Sequence, residues 1–315
     1  MKDPNFFVVG AGKCGTTTLY HILFQHPEIF MSPIKEPNYY ATDIKPEEFS
    51  EQFVTLQKRK NLDLNAYLDG PMTERVFLYY VTKEEDYKKL FKNVKNEKAI
   101  GEISNSYLFS KVAAQNLKNA IPDAKIIIIL RNPVERMTSH YKANLRDGKT
   151  IRPFYEEVTY DYSKSRKGWG ITHGYFEMGQ YADQVERFLQ IFDRDKIKVL
   201  WFEDLKKDSS RVAKEIFSFL GVSTDVKIDP EERQHLSTEP RNKKLVYFLS
   251  QKGLKKPALR MFPKSWHEPI KNIFFSKNNS FFLEPEDKKK LQAFYHDDIL
   301  KLQKLLNVDL SRWLQ

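Results

Sequence analysis

Short apolar runs alternate with amphipathic stretches along this chain, and the alternation predicts an α/β protein. Asn5 to Val9 is an apolar run stopped by glycine, the pattern of a buried strand, and helical character follows from Thr16 to Gln25. Ile29 to Met31 and Lys98 to Ile103 read as further strands, with a helix from Ser110 to Ala120. Lys125 to Leu130 contains four successive isoleucines and stops at Arg131-Asn132-Pro133. That β-branched density suits a central parallel strand, and Pro133 suits the first turn of the next helix. Glu177 to Phe192 reads as one amphipathic helix and Lys196 to Trp201 as a strand. A helix from Ser209 to Leu220 is closed by Gly221, and Glu284 to Leu306 reads as a closing helix. Lys45 to Tyr80 is expected to be an irregular excursion with a helix or two. The order of elements implies a parallel sheet covered by helices on both faces.

A length of 315 residues with 41% hydrophobic composition supports one large domain. Residues 1–230 are expected to form an α/β nucleotide-binding core, and 231–315 a helical, loop-rich part of the same domain. The formal charge of +10 favours anionic partners. No nucleic-acid-binding motif is visible, so nucleic acid is not an expected partner. Cys14 is the one cysteine, which excludes an internal disulfide and a cysteine zinc site. No apolar run is long enough to span a bilayer. The chain is therefore expected to be soluble and cytoplasmic, or to lie in the Golgi lumen if it is an excised catalytic domain. Its oligomeric state is not legible.

The candidate chemistry begins after the first strand, in GAGKCGTTTLY. Gly10 and Gly15 have the glycine spacing of a phosphate-binding loop, GxxxxGK[ST], but Thr16 stands where the lysine belongs and a lysine sits inside the loop at Lys13. Converging backbone N–H groups and the helix N-terminus still favour an anion there, and Thr16 and Thr17 add hydroxyl donors. A triphosphate enzyme also needs a magnesium-binding aspartate, yet the strong later strand ends in Arg131. Arg131 emerges where open parallel sheets bind ligands, and Ser139 follows two helical turns on. An arginine fork and a hydroxyl suit a second phosphate. Cys14, between Lys13 and a helix N-terminus, is expected to carry a lowered thiol pKa and to block the site when alkylated.

The loop GAGKCGTTTLY and the segment LRNPVERMTSHY, in that order, closely resemble the sulfotransferases that use 3′-phosphoadenosine 5′-phosphosulfate (PAPS). Softer likenesses to bacterial and heparan-type carbohydrate sulfotransferases run through KEPNYY, GEISNSYL, GQYADQVERFL, KVLWFEDLKKD and LNVDLSRWL. The resemblance implies a nucleotide-kinase-like sheet, sulfuryl transfer from PAPS to leave PAP, and no metal. It implies that Gly12, Cys14, Gly15, Thr16 and Thr17 hold the 5′-phosphosulfate while Lys13 contacts the bridging oxygen. Arg131 and Ser139 would bind the 3′-phosphate, and Arg241, in a loop resembling one that closes over the cofactor, would assist.

By the same resemblance Glu36, in KEPNYY, is the general base on a hydroxyl or amine of the acceptor, a sugar and possibly an anionic glycan; the residues alone also allow Glu36 to be a surface salt-bridge partner of Lys35. His140, beside Ser139, is the weaker candidate for that role. Heparan-type enzymes carry a lysine at the position of Ile103, so that aid is missing here and the acceptor pocket must differ, with Ser104 or a nearby lysine as the candidates to substitute. Trp169 and Tyr175 either line an acceptor cleft or pack in the core. On the residues alone a nucleotide or nucleoside kinase, and a non-catalytic nucleotide or nucleic-acid binder, stay open.

Overall fold

The structure, a computed structural model, describes residues 2–48, 62–164, 174–229, 239–254, 275–276 and 281–315. Seven strands and ten helices precede residue 221: β1 Phe6–Gly10, α1 Thr16–Phe24, β2 Ile29–Met31, β3 Ile34–Lys35, α2 Leu64–Asp69, β4 Val76–Phe77, α3 Glu84–Lys89, β5 Ala99–Ile103, α4 Ser106–Phe109, α5 Ala113–Ala120, β6 Lys125–Leu130, α6 Pro133–Asp147, α7 Phe154–Tyr162, α8 Ala182–Ile191, β7 Ile197–Trp201, α9 Phe202–Lys207 and α10 Ser209–Leu220. Beyond them lie β8 Glu239–Pro240, α11 Lys243–Gln251, β9 Phe275–Ser276 and α12 Pro285–Leu306, all counted among the described residues.

Five of the strands form one parallel sheet in the order β2-β5-β1-β6-β7. Every residue of β1 is buried, as is every residue of β6 after Lys125, because helices cover both faces. The chain leaves β1 for β2 and β5 on one side, then passes over β1 to β6 on the other. The topological switch point therefore lies between β1 and β6, and their carboxyl ends open onto one crevice. The β1–β6 register skips a residue between Val8 and Gly10, so β1 ends out of step as it enters the glycine loop.

Helix α6 carries the clearest local signals. Asn132 Oδ1 accepts from the N–H groups of Val134 (3.0 Å) and Glu135 (3.3 Å), Pro133 fills the first turn, and Gly148 closes the helix in the left-handed region. Arg131 is thereby fixed immediately before a capped helix.

Two expected boundaries are corrected. Ser110 does not begin a helix; its hydroxyl accepts from Ala113 N and caps α5 from outside. The single helix expected over 177–192 is a 3₁₀ turn, Glu177–Gly179, followed by α8. Asp298 of α12 causes the break by accepting from the N–H groups of Tyr181 (2.7 Å) and Ala182 (3.1 Å), a cap supplied from 116 residues away. Burial pushes the Asp298 carboxyl up to about 6.

Candidate functional site

The glycine loop passes from β1 into α1 through Gly15, whose φ of +93° is unfavourable to any side chain. A Cβ there would also lie 3.0 Å from Phe202 and from Leu205, so α9 closes one side of the loop. The same Phe202 ring carries the Arg131 guanidinium 4.3 Å from its centroid. Phe202 thus joins the loop to the end of β6. Tyr181 makes a second link: its hydroxyl donates to the Arg131 carbonyl (3.0 Å) and lies 3.7 Å from Cys14 Sγ.

Lys13 occupies a left-handed position, φ +72°, at the centre of the loop. Burial, and then the charges of Arg146, Lys149 and Arg131 acting against Asp147, bring its ammonium down to about 8. Lys142 is also lowered, first by burial and with Arg131 contributing, against Glu239. Ser139, Lys142 and Arg146 fall at i, i+3 and i+7 on α6, one face of that helix. Lys13, Arg131, Lys142, Arg146 and Lys149 therefore form one field of cations, which an anion would relieve. Arg131 spends its fork on Glu135 Oε2, at 3.2 and 3.0 Å from Nε and Nη2. A glycine cradle beneath several mutually repelling cations fits a nucleotide bearing more than one anionic group.

On the opposite side lies Glu36, at φ +64°. Its Oε1 accepts from Lys35 Nζ (2.6 Å) and from Asn105 Nδ2 (2.8 Å). Asn105 also touches the glycine loop: a Cβ on Gly10 would meet the Asn105 carbonyl at 3.2 Å, and one on Gly12 would meet its Cβ at 3.9 Å. Asn105 thus bridges the expected base and the expected phosphate loop, although the sequence reading did not single it out and took Lys35 only as a surface partner of Glu36. Behind it, Glu102 is fully buried and accepts from Tyr107 Oη (2.5 Å), Ser104 Oγ (2.7 Å) and Tyr87 Oη (3.3 Å). Burial raises its carboxyl to about 7 against those donors.

The reactivity expected of Cys14 is overturned. The Cys14 side chain points into the core, and burial pushes its thiol up to about 11, so it is shielded rather than activated. His140 is buried with its ring 4.5 Å from that of Tyr175, and Tyr175 is itself a core residue whose hydroxyl accepts from Asn144 (2.5 Å). Of the two readings of Tyr175 the structure has the core one, and Trp169 lies outside the described residues. Ser104, one candidate to replace the lysine absent at Ile103, bonds Asn38 N and Glu102 instead of Glu36. Arg241 is exposed and follows β8, which packs against α6. Thr16 is buried at the first turn of α1 and Thr17 half-buried beside it.

Sheet order, loop and cation field together define a nucleotide-phosphate-binding protein of the kinase-like α/β type. The sequence profile of the sulfotransferase domain matches residues 3–306, and the chain belongs to that family. Carbohydrate sulfotransferase 15 of Homo sapiens is 26% identical over 262 residues, covering 70% of this chain and 44% of that protein. The bifunctional heparan sulfate N-deacetylase/N-sulfotransferase 1 of Mus musculus is 26% identical over 228 residues, 71% of this chain and 23% of that protein. The chain spans less than half the length of these curated relatives. A crystal structure of a sulfotransferase from Alicyclobacillus acidocaldarius superposes with a TM-score of 0.72 at 31% identity, each chain covered at 100%.

Proposed function

We propose that this chain transfers the sulfuryl group of PAPS to a hydroxyl or amine of a carbohydrate, with an anionic glycan as the favoured acceptor. The observation that carries the proposal is the pairing across the glycine loop: a field of cations on one side and, joined to the loop by Asn105, the Glu36 carboxylate on the other. When bound, PAPS supplies an activated sulfuryl group and leaves as PAP. Gly12, Gly15 and the first turn of α1 present N–H groups to the 5′ end, while Arg131 and Ser139 take the 3′-phosphate. Glu36 accepts the acceptor proton as the new bond to sulfur forms. Lys13, inside the loop, would offer its ammonium to the oxygen that keeps the electron pair of the broken sulfur–oxygen bond, the position where charge grows. Membership of the sulfotransferase family sets the kinase reading aside.

The test is transfer of labelled sulfate from PAPS to acidic and neutral polysaccharides. Label in a glycan supports the proposal; tight PAP binding with no transfer to any acceptor would favour a silent nucleotide-binding domain.

Lys13 makes the nucleotide step sensitive to pH. An anion beside it favours the protonated form, so affinity is full below pH 8 and declines as pH rises through the free-protein value of about 8. PAP binding at pH 8 should take up about half a proton, since roughly half of the free lysine is neutral there. Calorimetry in buffers of different ionisation enthalpy reads this directly, and Lys13→Ala should abolish the uptake.

A further inference from the structure

Residues 104–106 grip the Glu36 loop at three successive points. Ser104 Oγ accepts from Asn38 N (3.0 Å), Asn105 Nδ2 donates to Glu36 Oε1 (2.8 Å), and Ser106 Oγ donates to Asn38 Oδ1 (2.5 Å). Asn38 in turn donates its amide to the Glu36 carbonyl (2.6 Å), while Glu36 N donates to Ile103 O (2.7 Å). Both Glu36 and Asn38 have positive φ, +64° and +58°. Such conformations cost about 1–3 kcal/mol and persist where the surroundings over-determine them. The loop is therefore held in one shape by contacts outside it.

The side chain of Glu36 is held as firmly as its backbone. Lys35 is 2% exposed, and a buried ammonium requires a partner; among the described residues its ion pair is with Glu36. Both donors converge on Oε1, leaving Oε2 without a partner among the described residues. An ammonium and an amide on one oxygen fix the plane of the carboxylate and single out the other oxygen for chemistry. Ile103 lies at 0% exposure and offers no charge; the cation comes instead from β3, one residue before the base.

We propose that Lys35 and Asn105 are positioning residues that clamp Glu36 Oε1, so that Oε2 takes the acceptor proton. The proposal rests on the reading of Glu36 as general base. Because Asn105 also lines Gly10 and Gly12, it sets the carboxylate against the same loop that holds the leaving phosphate. Placement to within about 1 Å is worth roughly a hundredfold in rate.

The experiment compares Glu36→Gln, Lys35→Met, Lys35→Arg and Asn105→Ala, with PAPS as donor and N-desulfated heparan polysaccharide as acceptor. Glu36→Gln should lose at least about a hundredfold in kcat. Asn105→Ala and Lys35→Met should each lose roughly ten- to a hundredfold in kcat, with the KM for PAPS and the affinity for PAP within twofold. Lys35→Arg should recover most of the loss, which a purely space-filling role for Lys35 would not give. A second readout needs no acceptor: the Glu36 carboxyl ¹³C resonance, assigned by its disappearance in Glu36→Gln, should move in both clamp variants. Full kcat and an unmoved resonance in Asn105→Ala, with Glu36→Gln inactive, would overturn the clamp and leave the base in place. Full activity in Glu36→Gln would overturn both. Should Lys35→Met fail to fold, Asn105→Ala decides, because Asn105 is only half-buried.

Discussion

Lys13→Ala should reduce sulfuryl transfer by about two to three orders of magnitude while leaving PAP binding within roughly tenfold of the parent. The asymmetry follows from what surrounds the lysine. Arg131, Arg146 and Lys149 all act on Lys13, and they remain to attract the nucleotide when it is gone. None of them sits in the turn between Gly12 and Gly15, so none replaces the charge that Lys13 offers as the sulfur–oxygen bond breaks. Lys13→Arg should not restore activity. The position has φ +72° inside a loop packed against Phe202 and Leu205, and a planar fork differs from a compact ammonium in shape and reach. Saturating-PAPS turnover and PAP calorimetry on the same preparations check both halves.

Arg131→Ala should have the opposite signature, weakening PAP by about a hundredfold or more and abolishing the preference for PAP over adenosine 5′-phosphate. Charge-assisted bonds of about 1.5–3 kcal/mol each are lost, at roughly 1.4 kcal/mol per tenfold. Glu135 supplies a companion test, since its carboxylate holds the Arg131 fork and is more than half exposed. A pair whose carboxylate is this exposed is worth about 0–1 kcal/mol, so Glu135→Gln should tighten PAP by up to about fivefold. Weakening in Glu135→Gln would show instead that Glu135 aims the guanidinium.

The elements of the sheet were readable because their signals are local. Phe6–Gly10 and Lys125–Leu130 are apolar runs ended by a glycine loop and by Arg-Asn-Pro, and these same stops carry Lys13 and Arg131. Where the reading failed, the deciding group came from elsewhere in the chain. Asp298 breaks the helix expected across Gln180, and burial beside Tyr181 removes the reactivity expected of Cys14. Lys35 looked like an ordinary surface partner of Glu36; only the pairing of β3 with β4, Lys35 against Phe77, puts it inside. Asn105 was unreadable for the same reason, since its value lies in touching Gly10, Gly12 and Glu36 together. Phe202 and Tyr181 lay within segments recognised by likeness, yet nothing in their spacing shows that both meet Arg131.

The central place of β1 has a consequence for how the protein is made. Phe6 pairs with Gly101 on one side and with Lys125 on the other, so the first strand of the sheet has no neighbour until β5 and β6 have been synthesised. At about 5–20 residues per second, the apolar segment Phe6–Gly10 waits roughly 6 to 25 seconds on the ribosome before both of its edges can be paired. During that interval it is a ready partner for a chaperone or for another nascent chain. The phosphate cradle cannot form early, because the glycine loop is held against Asn105, Phe202 and Leu205, all made later. Slow synthesis before residue 130 therefore prolongs exposure, whereas a nucleotide ligand can rescue only chains that have already closed the sheet.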